Sequence, residues 1–440
     1  MNQPNLFDDI PPEVTSSLTA TETGEARVSR AVRNQVEMVM RDLDSIIPGD
    51  HPARAIWQFL ERLDLSIFYS SIKSVVASPG RPATDPRVLL ALWLYATVEG
   101  VGSARRLERL CGEHDGYKWL AGGVPINYHR LSDFRVERKE ALERLLTEII
   151  ASMMAAGLVK LKGVAQDGVR VRASAGSSSF RRREKLGEYL RLAKEQVERL
   201  AEEGEQGASE LSRREEAARE RAARERRERV ERALKNLEQV QAAKERQKKK
   251  PKRGKGVSEA RASTTDPEAR VMKMPDGGFR PAYNVQLATD VESRVIVGVG
   301  VSNRGSDQGE ALGMEEQVCE RAGKHPERYL MDNGFINLKQ IGEMERSGVE
   351  VYAPSKPSRG ERPPKVKDRT EVARWRARMT TEEGKRVYRD RCSTAEWVNA
   401  QLRERHGMRQ FSVRGLARVT AVTLLLVITH NLLRWMALIA

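Results

Sequence analysis

The sequence predicts a mixed α/β fold with a helical insertion, preceded by an all-α N-terminal domain. Apolar residues recur at helical spacing over residues 29–157, and residues 158–440 then alternate between strand-like and helical segments. A long interruption, residues 178–256, is rich in Arg, Glu, Lys and Ala. Alternating strands and helices are typical of a mixed α/β layer fold, so we expect the interruption to be an insertion into that fold.

The charge of the chain favours a polyanionic partner. Its 440 residues include 77 Lys and Arg against 62 Asp and Glu, which gives a net charge of +15. Such an excess is typical of proteins that bind nucleic acid or an anionic membrane surface. Cys111, Cys319 and Cys392 are too widely spaced for a zinc site or a disulfide framework, and the N-terminal segment lacks the pattern of a secretory signal. We therefore expect a cytoplasmic protein.

The N-terminal part is predicted to be a disordered tail followed by the helical domain. Residues 1–28 are rich in Pro, Ser, Thr and Glu and have little apolar periodicity. Asp85 and Pro86 form a helix start, because Asp can cap the first turn and Pro fits its first position. Another helix is predicted over residues 137–156, with Gly157 as its stop.

The insertion interrupts the chain just after the first predicted strand, residues 164–173, which passes through Asp167. Apolar residues follow heptad spacing in the first part of the insertion and partly repeat it later. This pattern predicts an antiparallel helical hairpin that ends in the basic run 248–255. A solitary charged helix is the alternative.

Strand signals return after the insertion. Residues 283–289 and 294–301 are predicted to form a β-hairpin. The elements after this hairpin are predicted to be a helix at 307–323, a strand at 328–331, a helix at 338–347, a strand at 349–353 and helices from 381 onward.

The apolar segment 419–440 is close to the length of a membrane span. His430, Asn431 and Arg434 interrupt it, and a charged side chain in the centre of a bilayer costs about 2.5–3.5 kcal/mol. We therefore interpret the segment as a buried helix that closes the core.

Three carboxylates lie at positions that suit metal-dependent phosphoryl transfer. Asp167 lies on the first strand, Asp332 ends the strand at 328–331, and Glu396 lies on a later helix. Mg²⁺ prefers clustered oxygen ligands, so chemistry with two ions needs acidic side chains that converge from different elements. Taken singly, each could be an ordinary turn or surface residue. Asp290 lies between the hairpin strands, and Asp307 is expected to open a helix. Either could take the place of Asp332 as the second metal-binding acid, but both look structural.

Several motifs resemble those of one family. They are Asp85-Pro86, Trp119-Leu120 and Ser132-Asp133-Phe134-Arg135 in the helical domain; Gln166-Asp167-Gly168; Asp266-Pro267-Glu268-Ala269-Arg270; Tyr283-Asn284-Val285-Gln286; Met331-Asp332-Asn333-Gly334-Phe335; and the spaced set Tyr388, Arg391, Glu396 and Arg403. Together they resemble the bacterial insertion-sequence transposases of the DDE class with an InsH-like N-terminal domain. The resemblance covers most of the chain.

The resemblance implies an RNase-H-like catalytic domain, residues 158–440, that cuts DNA and joins the freed 3′-OH to a target. It implies that Asp167, Asp332 and Glu396 hold two Mg²⁺ (or Mn²⁺) ions. Tyr388, Arg391 and Arg403 would position the phosphates of the transposon end, with Arg403 where Lys is commoner. The helical domain would help to bind the terminal inverted repeats, in a homodimer on double-stranded DNA.

Two other functions are left open by the sequence. One is a degenerate transposase that binds inverted repeats without cutting, although the acidic triad is intact. The other is a membrane-associated coiled-coil protein.

In the tail, Gln3, Leu6 and Phe7 resemble the short motif that binds the replication sliding clamp. We expect a nucleoid-associated protein and no membrane partner.

Overall fold

The described part of the chain covers residues 36, 38, 40–70, 72, 74, 82–205, 213–246, 259–354 and 369–439 of a computed structural model. Contacts divide the chain into Met1–Asp42 and Leu43–Ala440. Every helix and strand described below lies within the second unit. The tail with Gln3, Leu6 and Phe7 and the basic run 248–255 lie outside the described residues.

The first part of this unit is helical, as predicted. Before α3 (Pro86–Val98), the Asp85 side chain accepts a hydrogen bond from the backbone N–H of Arg87 at 2.8 Å, and Pro86 occupies the first helical position. The long helix α7 (Lys139–Ala155) is followed at Gly157 by a φ of +70°, which suits glycine. The helices of this region are α1 (Pro52–Glu61), α2 (Ser66–Tyr69), α3 (Pro86–Val98), α4 (Ala104–Glu113), α5 (Asp115–Ala121), α6 (Tyr128–Glu137) and α7 (Lys139–Ala155), with a 3-10 helix at Asp44–Ile46.

A mixed sheet forms the centre of the second part, which confirms the predicted fold class. Its strands are β1 (Val164–Arg172), β4 (Arg270–Lys273), β5 (Phe279–Asp290), β6 (Ile296–Ser302), β7 (Arg328–Met331) and β8 (Glu350–Tyr352), while β2 (Phe180–Arg181) and β3 (Ala262–Ser263) form a separate pair. The order across the sheet is β4-β5-β1-β7-β8, and β6 also pairs with β5. β5 is antiparallel to β1, β4 and β6, whereas β1, β7 and β8 are parallel.

Helices cover both faces of the sheet. They are α10 (Ala311–Ala322), α11 (Leu338–Arg346), α12 (Thr370–Thr380), α13 (Glu382–Glu404) and α14 (Leu416–Ile439). Gly298 on β6 lies under Met314 of α10, and α13 contacts β1 from the opposite face. The expectation that Asp307 opens a helix was wrong, because α10 begins at Ala311.

The insertion is helical, as predicted, and consists of α8 (Arg183–Glu205) and α9 (Arg213–Arg246). The two helices run antiparallel, since Arg183 pairs with Glu238 near one end and Arg226 donates to Gln196 further along. A small apolar cluster that includes Leu186, Val230, Ala233 and Leu237 holds them together.

The apolar helix α14 is long and apolar enough to cross a membrane by length and composition. In this structure, residues from Val419 to Leu432 are mostly buried against α3, α6, α7 and β6. Its polar residues serve the β5–β6 hairpin: Asn431 Nδ2 donates to the carbonyl of Ile296 at 2.8 Å, and Arg434 Nε donates to that of Ser293 at 3.0 Å. The helix is thus a core element, and one hydrophobic cluster extends from the helical region to the sheet.

Candidate active site

Asp167 lies near the middle of β1, on the face of the sheet that α13 covers. Its Oδ2 accepts a hydrogen bond from Asn399 Nδ2 at 2.7 Å, and its Oδ1 lies 3.7 Å from Arg391 Nη1. The Asp167 side chain is 23% exposed and that of Arg391 is 12% exposed. Two residues of α13 therefore fix the direction of this carboxylate.

Burial raises the pKa of Asp167 to about 6. The Arg391 guanidinium acts in the opposite direction, and the neighbouring Asp332 adds to the increase. An ionised carboxylate that is this poorly solvated gains from a nearby cation. The position is therefore electrostatically suited to a bound cation.

Asp332 follows directly on β7, the parallel neighbour of β1. Gln166 pairs with Met331, so Asp167 and Asp332 lie side by side on one face, one residue further along each strand. Asp332 Oδ1 also accepts a hydrogen bond from the N–H of Gly334 at 2.6 Å and caps the 3-10 helix Asn333–Phe335. The two strands that carry the predicted acids are therefore neighbours in the sheet.

The helix α13 carries the other four predicted site residues. Tyr388 and Arg391 lie one turn apart, and the guanidinium carbon of Arg391 is 5.8 Å from the centre of the Tyr388 ring. Arg403 is half-buried and Glu396 is exposed. Within the described ranges, no group of three His, Cys, Asp or Glu side chains could hold a metal ion. Glu396 therefore does not join Asp167 and Asp332 in one cluster in this conformation.

Asn399 is a site residue that the sequence analysis missed. It lies one turn after Glu396 on α13, so the two share a side of the helix. Its hydrogen bond to Asp167 links the helix to the strand over 232 residues of chain. The spacing from Glu396 is the only sequence signal that could have indicated Asn399, because an uncharged amide in a charged helix does not by itself indicate a site.

Asp290 is held by donors of its own hairpin and of the segment before β1. Its carboxylate accepts hydrogen bonds from the N–H of Leu161 at 3.1 Å, the N–H of Ser293 at 2.9 Å and the Ser293 hydroxyl at 2.7 Å. It is 1% exposed and lies opposite Val164, three residues along β1 from Asp167. These contacts agree with a structural role.

Asp307 lies behind the site, on the other face of β1. Its Oδ1 accepts from Asn284 Nδ2 and Gln286 Nε2, each at 2.7 Å, and its Oδ2 lies 3.3 Å from Arg170 Nη2. Gly168 leaves room for it, since a Cβ at Gly168 would lie 2.2 Å from Asp307 Oδ1. Asp307 thus holds β1, the strand that carries Asp167, in place through contacts on the opposite face of the sheet.

A hydrogen-bond network of polar side chains extends from Asp307 across the same face of the sheet. The Tyr329 hydroxyl donates to Gln166 Oε1 at 2.8 Å, and Gln166 Nε2 donates to Gln286 Oε1 at 3.0 Å. All three side chains are almost fully buried. Satisfied polar networks of this kind fix strand positions, because any shift leaves a buried polar atom without a partner.

The donors present at the site fit a hard divalent cation. The carboxylates of Asp167 and Asp332 are oxygen ligands of the kind that Mg²⁺ and Mn²⁺ take. A cation between the strands would also offset the unfavourable burial of the Asp167 charge.

Two family models match the chain. The transposase domain DUF772 matches residues 41–137, which include α1 to α6. The transposase DDE domain matches residues 359–436, which include α13 with Tyr388, Arg391, Glu396 and Arg403. No curated protein and no solved structure matches.

Both matched domains are transposase domains, which supports a transposase function. Together the two matches support an insertion-sequence transposase of the DDE type. This agrees with the family that the motifs indicate.

Proposed function

We propose that this transposase cleaves DNA at the ends of an insertion sequence and joins the freed 3′-OH to target DNA. The observation that carries the proposal is the placement of Asp167 and Asp332 side by side on neighbouring parallel strands. Carboxylates at adjacent strand positions, next to a helix with a third acid, suit phosphoryl transfer in an RNase-H-like domain. The DDE domain match supports the same class of chemistry.

Asp167, Asp332 and Glu396 would hold two Mg²⁺ (or Mn²⁺) ions, which supply activation of the attacking oxygen and charge stabilisation at the phosphorus. Glu396 would join the two Asp residues when DNA is bound, because it is exposed and one turn from Asn399. Asn399 orients Asp167 so that the carboxylate keeps one direction during the reaction.

The DNA contacts would come from α13 and the helical region. Arg391 and Tyr388 lie next to Asp167, and Arg403 follows three turns further along the same helix as Arg391. Guanidinium groups bind phosphates through paired hydrogen bonds, so these residues suit the phosphates of the transposon end. The net charge of +15 favours DNA in general. In this proposal the helical region 29–157 binds the terminal inverted repeats, and the protein assembles on DNA as a homodimer.

Alanine substitution of each carboxylate tests the proposal. Asp167→Ala, Asp332→Ala and Glu396→Ala should each abolish cleavage of a labelled transposon end in Mg²⁺ and leave end binding intact. Each residue would supply metal ligands and no groove contact. Glu383→Ala, an exposed acid on the same helix, is the matched control and should cut normally.

The rival outcomes separate the remaining functions. If the wild-type protein binds the end but never cuts it in any divalent metal, the chain is a degenerate, binding-only transposase. If Asp332→Ala cuts normally and Asp290→Ala does not, the second acid is Asp290. The end sequence itself is readable from the inverted repeats in the DNA that flanks the gene.

The tail supports a separate proposal about localisation. Leu6 and Phe7 could enter an apolar cleft of the sliding clamp while Gln3 makes a polar contact at the rim, and this would bring a nucleoid-associated enzyme to replicating DNA. A pull-down with purified clamp tests it. A double variant, Leu6→Ala with Phe7→Ala, should lose the clamp, and equal retention by both proteins would sink the idea.

A further inference from the structure

A buried arginine without an acidic partner lies in the helical region, apart from the candidate active site. Arg135 on α6 is 6% exposed. Its Nη1 donates to the carbonyl of Gly102 at 2.6 Å, and its guanidinium carbon lies 4.2 Å from the centre of the Trp93 ring. Its Nε is buried and has no acceptor, and no carboxylate pairs with it within the described ranges.

This arginine lines a cavity of about 50 Å³. The cavity lies between α3, α14 and the two loops around Gly102 and Gly407–Ser412. Gly102, Gln410 and Ser412 are exposed and form its mouth, whereas Trp93 and Leu425 are buried and form its floor. A cavity holds one water once about 10–15 Å³ is accessible, so this one has room for a small polyatomic ion.

The charge around the cavity is positive. A buried guanidinium without a counter-ion is costly, and burial lowers the pKa of Arg135 to about 10. The second buried titratable group, His406, directs its Nδ1 to the carbonyl of Thr97 at 3.3 Å, and burial lowers its pKa, so the charge of the cavity comes from Arg135. The ten-residue helix α4 begins beside the mouth, and helix N-termini attract anions.

We propose that this cavity binds a phosphate group, with the Arg135 guanidinium as its charged wall and the side chains of Gln410 and Ser412 at its rim. The phosphate could belong to a DNA backbone or to a small free anion. The mouth is attached to the strand of the active site, because the N–H of Phe411 donates to the carbonyl of Arg172 at 2.9 Å.

Arg172 lies five residues after Asp167 on β1, which is about 16 Å of extended chain. That distance equals the rise of about five base pairs of DNA. The link to DNA rests on the proposed function, whereas phosphate binding itself does not. Failure of cleavage would therefore leave the binding test intact.

A thermal-shift titration of the full chain with inorganic phosphate, against sodium chloride at equal ionic strength, tests the binding. A ligand that binds only the folded state raises Tm, and we expect a rise of about 2 °C for the wild type near ten times Kd. Arg135→Met should remove the rise. It should still fold, since apolar replacement of an unpaired buried charge is often neutral or stabilising.

Two further variants test whether a lost rise in Tm comes from this cavity. Ser412→Tyr would close the mouth from the exposed side without touching Arg135, and should also remove the rise. Arg109→Gln removes one exposed arginine of α4 and should retain it. The proposal is overturned if phosphate stabilises the wild type, Arg135→Met and Ser412→Tyr equally, or if it does not stabilise the wild type.

Fluorescence anisotropy with a duplex identifies the source of the phosphate. If it belongs to DNA, Arg135→Met should weaken duplex binding and lower the magnitude of the salt slope by about 0.9. Unchanged duplex binding together with a lost phosphate shift assigns the cavity to a free phosphate-bearing ligand.

Discussion

Removal of the Asn399 amide should slow DNA cleavage without loss of DNA binding. In Asn399→Ala, Asp167 loses the 2.7 Å hydrogen bond to its Oδ2. It keeps the backbone N–H of its neighbour Gly168 and Arg391, whose Nη1 is 3.7 Å away and beyond hydrogen-bond distance. A hydrogen bond to a charged group contributes about 1.5–3 kcal/mol. If that orientation is needed in the transition state, the rate falls about 10–150-fold.

The assay is single-turnover cleavage of a labelled duplex that carries the terminal repeat, with end binding measured in parallel. Asn399→Ala should fold normally, since alanine is the best helix former and the position lies inside α13. Gln401→Ala removes a similar amide two residues away and should cut at the wild-type rate. Cleavage by Asn399→Ala within a factor of two of the wild type would refute the positioning role.

Three further outcomes follow from the charge, burial and packing described above. Deletion of residues 248–255 should reduce the salt dependence of non-specific duplex binding without a change in the preferred end sequence, and an unchanged slope would make the run a solvated linker. Burial lowers the pKa of His430 to about 4, so the unfolded state takes up the proton first and stability falls as the pH drops below 6.5. Urea unfolding at pH 7 and pH 5 gives the decrease in the free energy of unfolding between the two pH values. This decrease should be smaller by about 2 kcal/mol in His430→Gln than in the wild type, and equal decreases would contradict the assignment. Gly168→Ala should destabilise the fold by about 1–3 kcal/mol, because its Cβ would collide with Asp307, whereas Gly187→Ala, with open space on α8, should stabilise it by about 0.5–1 kcal/mol.

Elements with local signals were predictable from the sequence. The start of α3 depends on the Asp85 side chain and the fixed φ of Pro86, both of which act within one turn. The end of α7 was signalled by Gly157, whose positive φ suits glycine. The strands at residues 164–173 and 328–331 were also predicted, and the structure pairs them in parallel as β1 and β7.

What depends on distant partners could not be predicted. Asp307 resembles a helix cap in sequence, but Asn284, Gln286 and Arg170 hold its carboxylate, and the helix begins only at Ala311. The short strand β4 has no periodicity of its own and exists because it pairs with the start of β5. The helix α12 was also missed, and its Trp375 is buried with its indole N–H on the carbonyl of Ala353.

The position of Asn399 shows the same limit for the site. No sequence pattern ties an amide on α13 to a carboxylate 232 residues earlier, so only the folded structure brings the two together. The acidic residues could be proposed because metal chemistry restricts the side chains that can serve. A positioning residue has no such restriction.

The burial of α14 between the helical region and the β5–β6 hairpin has a consequence for how the protein matures. Helices α3, α6 and α7 leave the ribosome more than 250 residues before α14, yet their apolar faces pack against it. Until α14 arrives, that surface stays open to chaperones and to aggregation. Contacts across so much chain also form slowly. A nascent chain interrupted before α14 therefore lacks both a closed helical region and an anchored hairpin.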